Sequence, residues 1–199
     1  MKNTVEFFFD FGSPTAYLAY TQLPKIAEAA GAQLAFRPML LGGVFKATGN
    51  QTPVNVIPKG KWMWGDMDLW AKRYGVPLVK NPWFIINTLP LMRGAAGLQM
   101  EQRDAASFRS YVDVMFHNMW VEPVNLGDPA VVAEVLKGHG FDPAAFTAMI
   151  GDPVVKQKLI DNTEEAVKRG VFGAPTMFVG EQMFFGQDRL DFVKEALGK

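Results

Sequence analysis

Apolar residues fill Val5 to Phe9 apart from Glu6, and the run ends at Asp10-Phe11-Gly12. That pattern predicts a buried strand and a turn. Ser13-Pro14 follows as a helix N-cap residue and a proline at the first helical position. From Ala16 to Ala30, Leu18, Ala19, Leu23, Ile26, Ala27 and Ala30 recur at helical spacing, and Gly31 stops the helix. Gln33 to Pro38 alternates as a second strand. Strand, helix and strand with a tight crossover make a βαβ unit with two parallel strands side by side.

The far end of the chain carries a different pattern. Met177 to Val179 and Gln182 to Phe185 predict two short strands around the turn Gly180-Glu181, and Asp188 to Leu197 an amphipathic helix. The two ends together complete a four-stranded mixed sheet. Between them, apolar spacing bounded by polar, Gly or Pro residues predicts helices at Trp62 to Tyr74, Thr88 to Leu98, Asp104 to Met119, Pro129 to Gly138 and Pro153 to Arg169. The expected class is α/β, with residues 1–40 plus 169–199 forming the sheet domain and 41–168 an all-helical insertion.

Composition narrows the chemistry. The 199 residues can bury a substantial core, and 49% hydrophobic with 20% charged residues is an ordinary globular balance. Twenty Lys and Arg against 20 Asp and Glu leave no electrostatic footprint for nucleic acid or an anionic membrane surface. No segment approaches the roughly 20 apolar residues of a membrane span, and the start is too short and too charged for a signal peptide, so the expected compartment is the cytoplasm. Cysteine is absent, which excludes disulfides, cysteine nucleophiles, thiolate metal sites and disulfide exchange. Sulfur chemistry at this protein requires a ligand that brings the sulfur.

Three places are candidates for a site. Ser13 is explained fully by capping, yet it also stands at the C-terminal end of the first strand of a βαβ unit, where crevices form in open α/β sheets. A helix N-terminus there favours negative charge and lowers the pKa of a nearby thiol. Phe172-Gly173-Ala174-Pro175-Thr176 is the second. The residues alone favour a trans peptide before Pro175, whereas a cis bond would turn the Ala174 backbone outward to pair with an extended peptide. Phe185-Gly186-Gln187-Asp188-Arg189 is the third, either a plain helix start or one that holds the charged end of a small peptide. Trp62, Trp64, Trp70, Trp83 and Phe84 read as core or subunit interface, with one or two free to wall an aromatic ligand. His117 and His139 are isolated and read as structural, so no metal site is expected. Neither Gly42-Gly43 nor Pro58-Lys59-Gly60-Lys61 makes a phosphate loop.

In combination, FFFDFGSPTAYLA, LGGVFKATGN, NTLPLMRGA, FGAPTMFV and FFGQDRLDFV resemble, in order and over nearly the whole chain, the 2-hydroxychromene-2-carboxylate isomerases and their relatives, the kappa-class glutathione transferases. The resemblance implies a DsbA-like thioredoxin fold with a helical insertion, and glutathione as cofactor. It implies that Ser13 is catalytic and keeps the glutathione sulfur as thiolate, that Ala174 before a cis Pro175 pairs with the tripeptide backbone, and that Phe185, Gly186, Gln187 and Asp188 hold the γ-glutamyl end. It places Lys46 near the substrate carboxylate and Asn50 near glutathione or substrate; Trp83, from the aromatic cluster, and Asn87 are further candidate substrate contacts read from the residues themselves. Asn87 reads equally as a helix N-cap, and Lys46 and Asn50 as a solvated loop. The implied reaction interconverts 2-hydroxychromene-2-carboxylate with trans-o-hydroxybenzylidenepyruvate in naphthalene catabolism, in a homodimer, with glutathione unconsumed. A transferase that consumes glutathione, and a non-catalytic thioredoxin-like module, are the alternatives.

Overall fold

A computed structural model describes residues 4–100 and 105–198. Strands β1 (Thr4–Phe9), β2 (Gln33–Pro38), β3 (Thr176–Val179) and β4 (Gln182–Phe185) form one sheet in the order β2-β1-β3-β4. β1 runs parallel to β2 with Phe7 beside Phe36, and antiparallel to β3 with Phe7 beside Met177. β4 pairs antiparallel with β3 across a turn in which Gly180 takes φ +62°, a conformation natural to glycine. Helix α1 (Pro14–Ala29) makes the crossover between β1 and β2, and α9 (Leu190–Ala196) follows a short 3-10 turn at Gln187–Arg189.

Residues between the two halves of the sheet form α2 (Leu41–Thr48), α3 (Ile57–Tyr74), α4 (Leu89–Met100), α5 (Ala105–Trp120), α6 (Pro129–Gly138), α7 (Pro143–Gly151) and α8 (Pro153–Lys168). The sequence pattern anticipates neither α2 nor α7. α2 is a two-turn helix with two glycines, and α7 is apolar on too many sides to show a stripe. α3 starts at Ile57 rather than Trp62 because Pro58 fits a first helical turn. Asp104, the expected start of the fifth helix, lies outside the described residues.

One core joins the sheet to the helices. Phe9 and Phe11 pack on Phe116 of α5 with ring centroids 5.8 and 5.0 Å apart, and Phe36 packs on Phe7, Phe9 and Tyr20. Trp120, fully buried, donates its indole N–H to the Phe11 carbonyl at 2.8 Å and so fixes the turn after β1. α4 approaches α5 and α7 through glycines: a Cβ on Gly94 would lie 2.5 Å from the Tyr111 hydroxyl and from the Phe146 ring. On the opposite side of β1, Glu6 pairs with Arg37 at 2.8 Å and Arg169 at 2.9 Å, and the Arg169 guanidinium stacks 3.9 Å over Phe178.

Candidate functional site

The turn after β1 is fixed by a buried carboxylate. Asp10 accepts from the backbone N–H of Gly12 at 2.9 Å and of Leu41 at 2.8 Å, joining the start of α1 to the start of α2. Burial pushes its pKa above the ordinary value, opposed by the bonds from Leu41, Gly12 and Thr88. Ser13 then caps α1: its Oγ accepts from the Ala16 N–H at 3.1 Å, and Pro14 occupies the first turn.

The Ser13 hydroxyl also donates to the Ala174 carbonyl at 3.0 Å, 161 residues away in sequence. Thr15 donates its own hydroxyl to the same oxygen at 3.1 Å, and the two hydroxyls lie 3.0 Å apart. The Ala174-Pro175 bond is cis, not the trans bond that the residues alone favour. Local sequence carries no sign of the Ser13 and Thr15 hydroxyls that meet this carbonyl from across the chain. Gly186 N–H donates to the Pro175 carbonyl at 3.0 Å and ties the third candidate segment to the second.

These segments open onto a crevice of about 430 Å³. Ser13 and Thr15 lie on one side with Gly173 and Ala174, and Phe185 to Arg189 rise beside them. Gln187 is buried, and Tyr74 donates to its backbone carbonyl. Asp188 pairs with Arg189 at 2.6 Å. The facing wall comes from α2, α3 and the loop between them: Phe45, Asn50 to Val54, Lys59, Trp62 and Trp64, with Phe84 behind. Phe84, joined to Ile85 by a cis peptide bond, packs against Trp64 and Trp120. Asn50 lines the crevice, but its amide already donates to the Phe172 carbonyl at 2.8 Å.

The crevice brings together Ser13, Asn50, Ala174, Phe185, Gly186, Gln187 and Asp188, with Pro175 in the strand-leading bond next to it. Lys46, Trp83 and Asn87 are not among its lining residues. The helical period of α2 turns Leu41 and Phe45 inward and leaves Lys46 in solvent. Trp83 is 47% exposed on the loop, and its neighbour Phe84 takes the inward position. The Asn87 side chain accepts from the Leu89 N–H at 3.1 Å, one residue ahead of Thr88, whose carbonyl takes the first bond of α4 from the Met92 N–H at 2.8 Å. Thr15 and Lys59 escape the sequence reading. Thr15 directly follows the Ser-Pro pair, and Lys59 belongs to the Pro58-Lys59-Gly60-Lys61 segment, whose pattern carries no sign of a crevice wall. His117 and His139 sit at the ends of α5 and α6, near Glu122 and the Val135 carbonyl. Among the described residues no group of three His, Cys, Asp or Glu could hold a metal, and no helix is long and apolar enough to cross a membrane.

Residues 4–198 match the DSBA-like thioredoxin domain family. The chain is 34% identical over 199 residues to the 2-hydroxychromene-2-carboxylate isomerase of Sphingobium xenophagum, covering 99% of each chain. It belongs to that family. A solved 2-hydroxychromene-2-carboxylate isomerase structure superposes with a TM-score of 0.86 at 30% identity, over 98% of this chain and 94% of that one. The kinship extends to glutathione S-transferase kappa 2 of Caenorhabditis elegans, 27% identical over 100% of this chain and 93% of the relative. The fold is shared with a probable DsbA oxidoreductase from Streptomyces coelicolor, at a TM-score of 0.72 and 18% identity over 98% of this chain and 88% of that one, whereas this chain has no cysteine and caps α1 with a serine.

Proposed function

We propose that this protein is a glutathione-dependent isomerase that interconverts 2-hydroxychromene-2-carboxylate, or a close aromatic analogue, with its trans-o-hydroxybenzylidenepyruvate isomer. The reading rests first on the paired Ser13 and Thr15 hydroxyls at the N-terminus of α1, facing a crevice in a protein that has no thiol of its own. The residues fit a tripeptide thiol. The crevice volume of about 430 Å³ lies within the roughly 300–1,000 Å³ of small-ligand sites. The Ala174 N–H has no partner among the described residues and is free to pair with an extended peptide.

When bound, glutathione supplies a nucleophilic thiolate that adds reversibly to the enone of the open isomer and turns its double bond into a rotatable single bond. The protein's part is to keep that sulfur charged and the substrate oriented. The Ser13 hydroxyl rotates its proton from Ala174 to the sulfur, and the amide end of α1 adds its positive potential. Gln187 and Asp188 face the γ-glutamyl end. Lys59 and Arg189 are the cations on the crevice lining and suit the carboxylates of cofactor and substrate. Phe45, Trp64 and Phe84 wall the aromatic ring and exclude water.

Loss of the chromene, followed by ultraviolet absorbance, tests the reading: turnover is expected only with glutathione and is expected to collapse in Ser13→Ala. Full activity without glutathione, or in that variant, overturns it. A kappa-type transferase shares the site but consumes thiol, so free thiol counted before and after turnover separates the two. Absence of glutathione binding in calorimetry returns the protein to a non-catalytic module. Light scattering tests the homodimer that belongs to the same proposal.

A further inference from the structure

Helices α2, α4 and α8 enclose a second recess, of about 450 Å³, separate from the crevice. α2 divides the two cavities, with Leu41 and Phe45 toward the crevice and Gly43 and Ala47 toward the recess. The stripe of α8 that lines it holds Leu159, Ile160 and Val167 at helical spacing, and Leu89 from α4 and Leu40 continue the apolar wall. Ile160 is 48% exposed.

Charge decides what the recess takes. Among the described residues, Arg93, Lys156 and Lys168 line it against a single acid, Glu164. None of these four has an ion pair among the described residues, where every ion pair lies elsewhere. The Arg93 Nε–H is buried and has no acceptor among the described residues. A buried guanidinium donor without a partner is costly, and its planar fork matches a carboxylate offering two oxygens side by side. Arg93 stands four residues after Leu89, on the same face of α4, so an anion on the guanidinium would continue directly into the apolar wall.

We propose that this recess is a binding site for a monocarboxylate with an apolar body, its carboxylate on Arg93 and its hydrocarbon against Leu159, Ile160 and Val167. The volume suits a small amphiphile, and the surplus of cations suits its head. The site is independent of the crevice and stands whether or not glutathione binds there.

Decanoate is the probe, titrated into the isotope-labelled protein while the methyl resonances of leucine, isoleucine and valine are recorded. Saturable shifts are expected at Leu159, Ile160 and Val167, not at Leu41 and Val54 of the crevice side. Decanol, which lacks the charge, is expected to bind at least tenfold more weakly. Arg93→Gln is expected to weaken decanoate by about tenfold or more, the scale of a lost charge-assisted hydrogen bond. Ile160→Glu, at a half-exposed position that folding tolerates, is expected to abolish binding by placing a like charge beside the carboxylate. Unsaturable shifts, shifts confined to the crevice, or undiminished affinity in both variants overturns the proposal. So does a dimer whose interface buries the same methyl groups, since the recess would then be filled by a second copy.

Discussion

Thr15→Val is the substitution that separates the fold from the proposed chemistry. Valine keeps the shape of threonine and removes one hydroxyl. In the protein as it stands, Ala174 O accepts from both Ser13 at 3.0 Å and Thr15 at 3.1 Å, so the variant leaves that carbonyl one donor and its stability is expected to fall by less than about 1 kcal/mol. The balance changes once a thiolate needs the Ser13 proton. Ser13 Oγ already accepts from Ala16 N–H and has a single proton to give. With Thr15 present, Ala174 O keeps a donor when Ser13 turns away; in Thr15→Val it is stranded in a buried site. An unsatisfied buried acceptor costs about 1–3 kcal/mol, which corresponds to a rise of about one to two units in the pKa of the bound thiol at 1.36 kcal/mol per unit. Ultraviolet titration of bound glutathione reads that rise directly, and Thr15→Ser is expected to reverse it. An unchanged thiol pKa in Thr15→Val, with the unfolding midpoint also unchanged, would refute the shared-donor reasoning.

Glu6→Gln tests the ion cluster behind β1. Burial raises the Glu6 pKa, but the hydrogen bond and charge of Arg169, with those of Arg37, outweigh it and hold it below the ordinary 4.5. A depressed folded pKa means stability that is present above the unfolded value and lost as pH falls through the folded one. The variant is therefore expected to lose about 1–3 kcal/mol at neutral pH, a deficit that shrinks on acidification, as urea unfolding at several pH values would report. Gly94→Ala places a methyl group 2.5 Å from Tyr111 Oη and the Phe146 ring. Overpacking of about 1–3 kcal/mol is expected to exceed the helix-propensity gain of up to about 1 kcal/mol, and an unfolding midpoint at or above that of the parent would contradict it. Gly173→Ala sets a Cβ 2.8 Å from the Phe185 ring at the crevice edge. Phe185 is 41% exposed and can swing away, so stability is expected to hold while glutathione affinity in calorimetry falls about tenfold.

The strand segments of the sheet, α1 and its Ser13-Pro14 start are legible in the sequence because each depends on neighbours close along the chain. A buried strand needs an apolar run, and a cap needs a hydroxyl before the first turn. Ser13 shows how far such reading reaches. Its bond to the Ala16 N–H spans three residues and follows from the Ser-Pro pair, whereas its bond to Ala174 spans 161 and is set by the packing of β3 against β1. Phe84 and Trp83 make the same point, since both are aromatic and adjacent and only the path of the loop decides which one faces inward.

By itself the sequence determined that the sheet is assembled from both ends of the chain, that no thiol is present, and that a helix starts at Ser13. Tertiary structure decided which hydroxyls share the Ala174 carbonyl, that Lys59 rather than Lys46 lines the crevice, and that the Arg93 Nε–H is left without an acceptor among the described residues, on a side chain that lines a second recess. The physical reason is one of range. Apolar periodicity and capping act over a few residues and are written locally, whereas a hydrogen-bond partner or the direction of a cation is fixed only when distant elements pack, which no local pattern encodes.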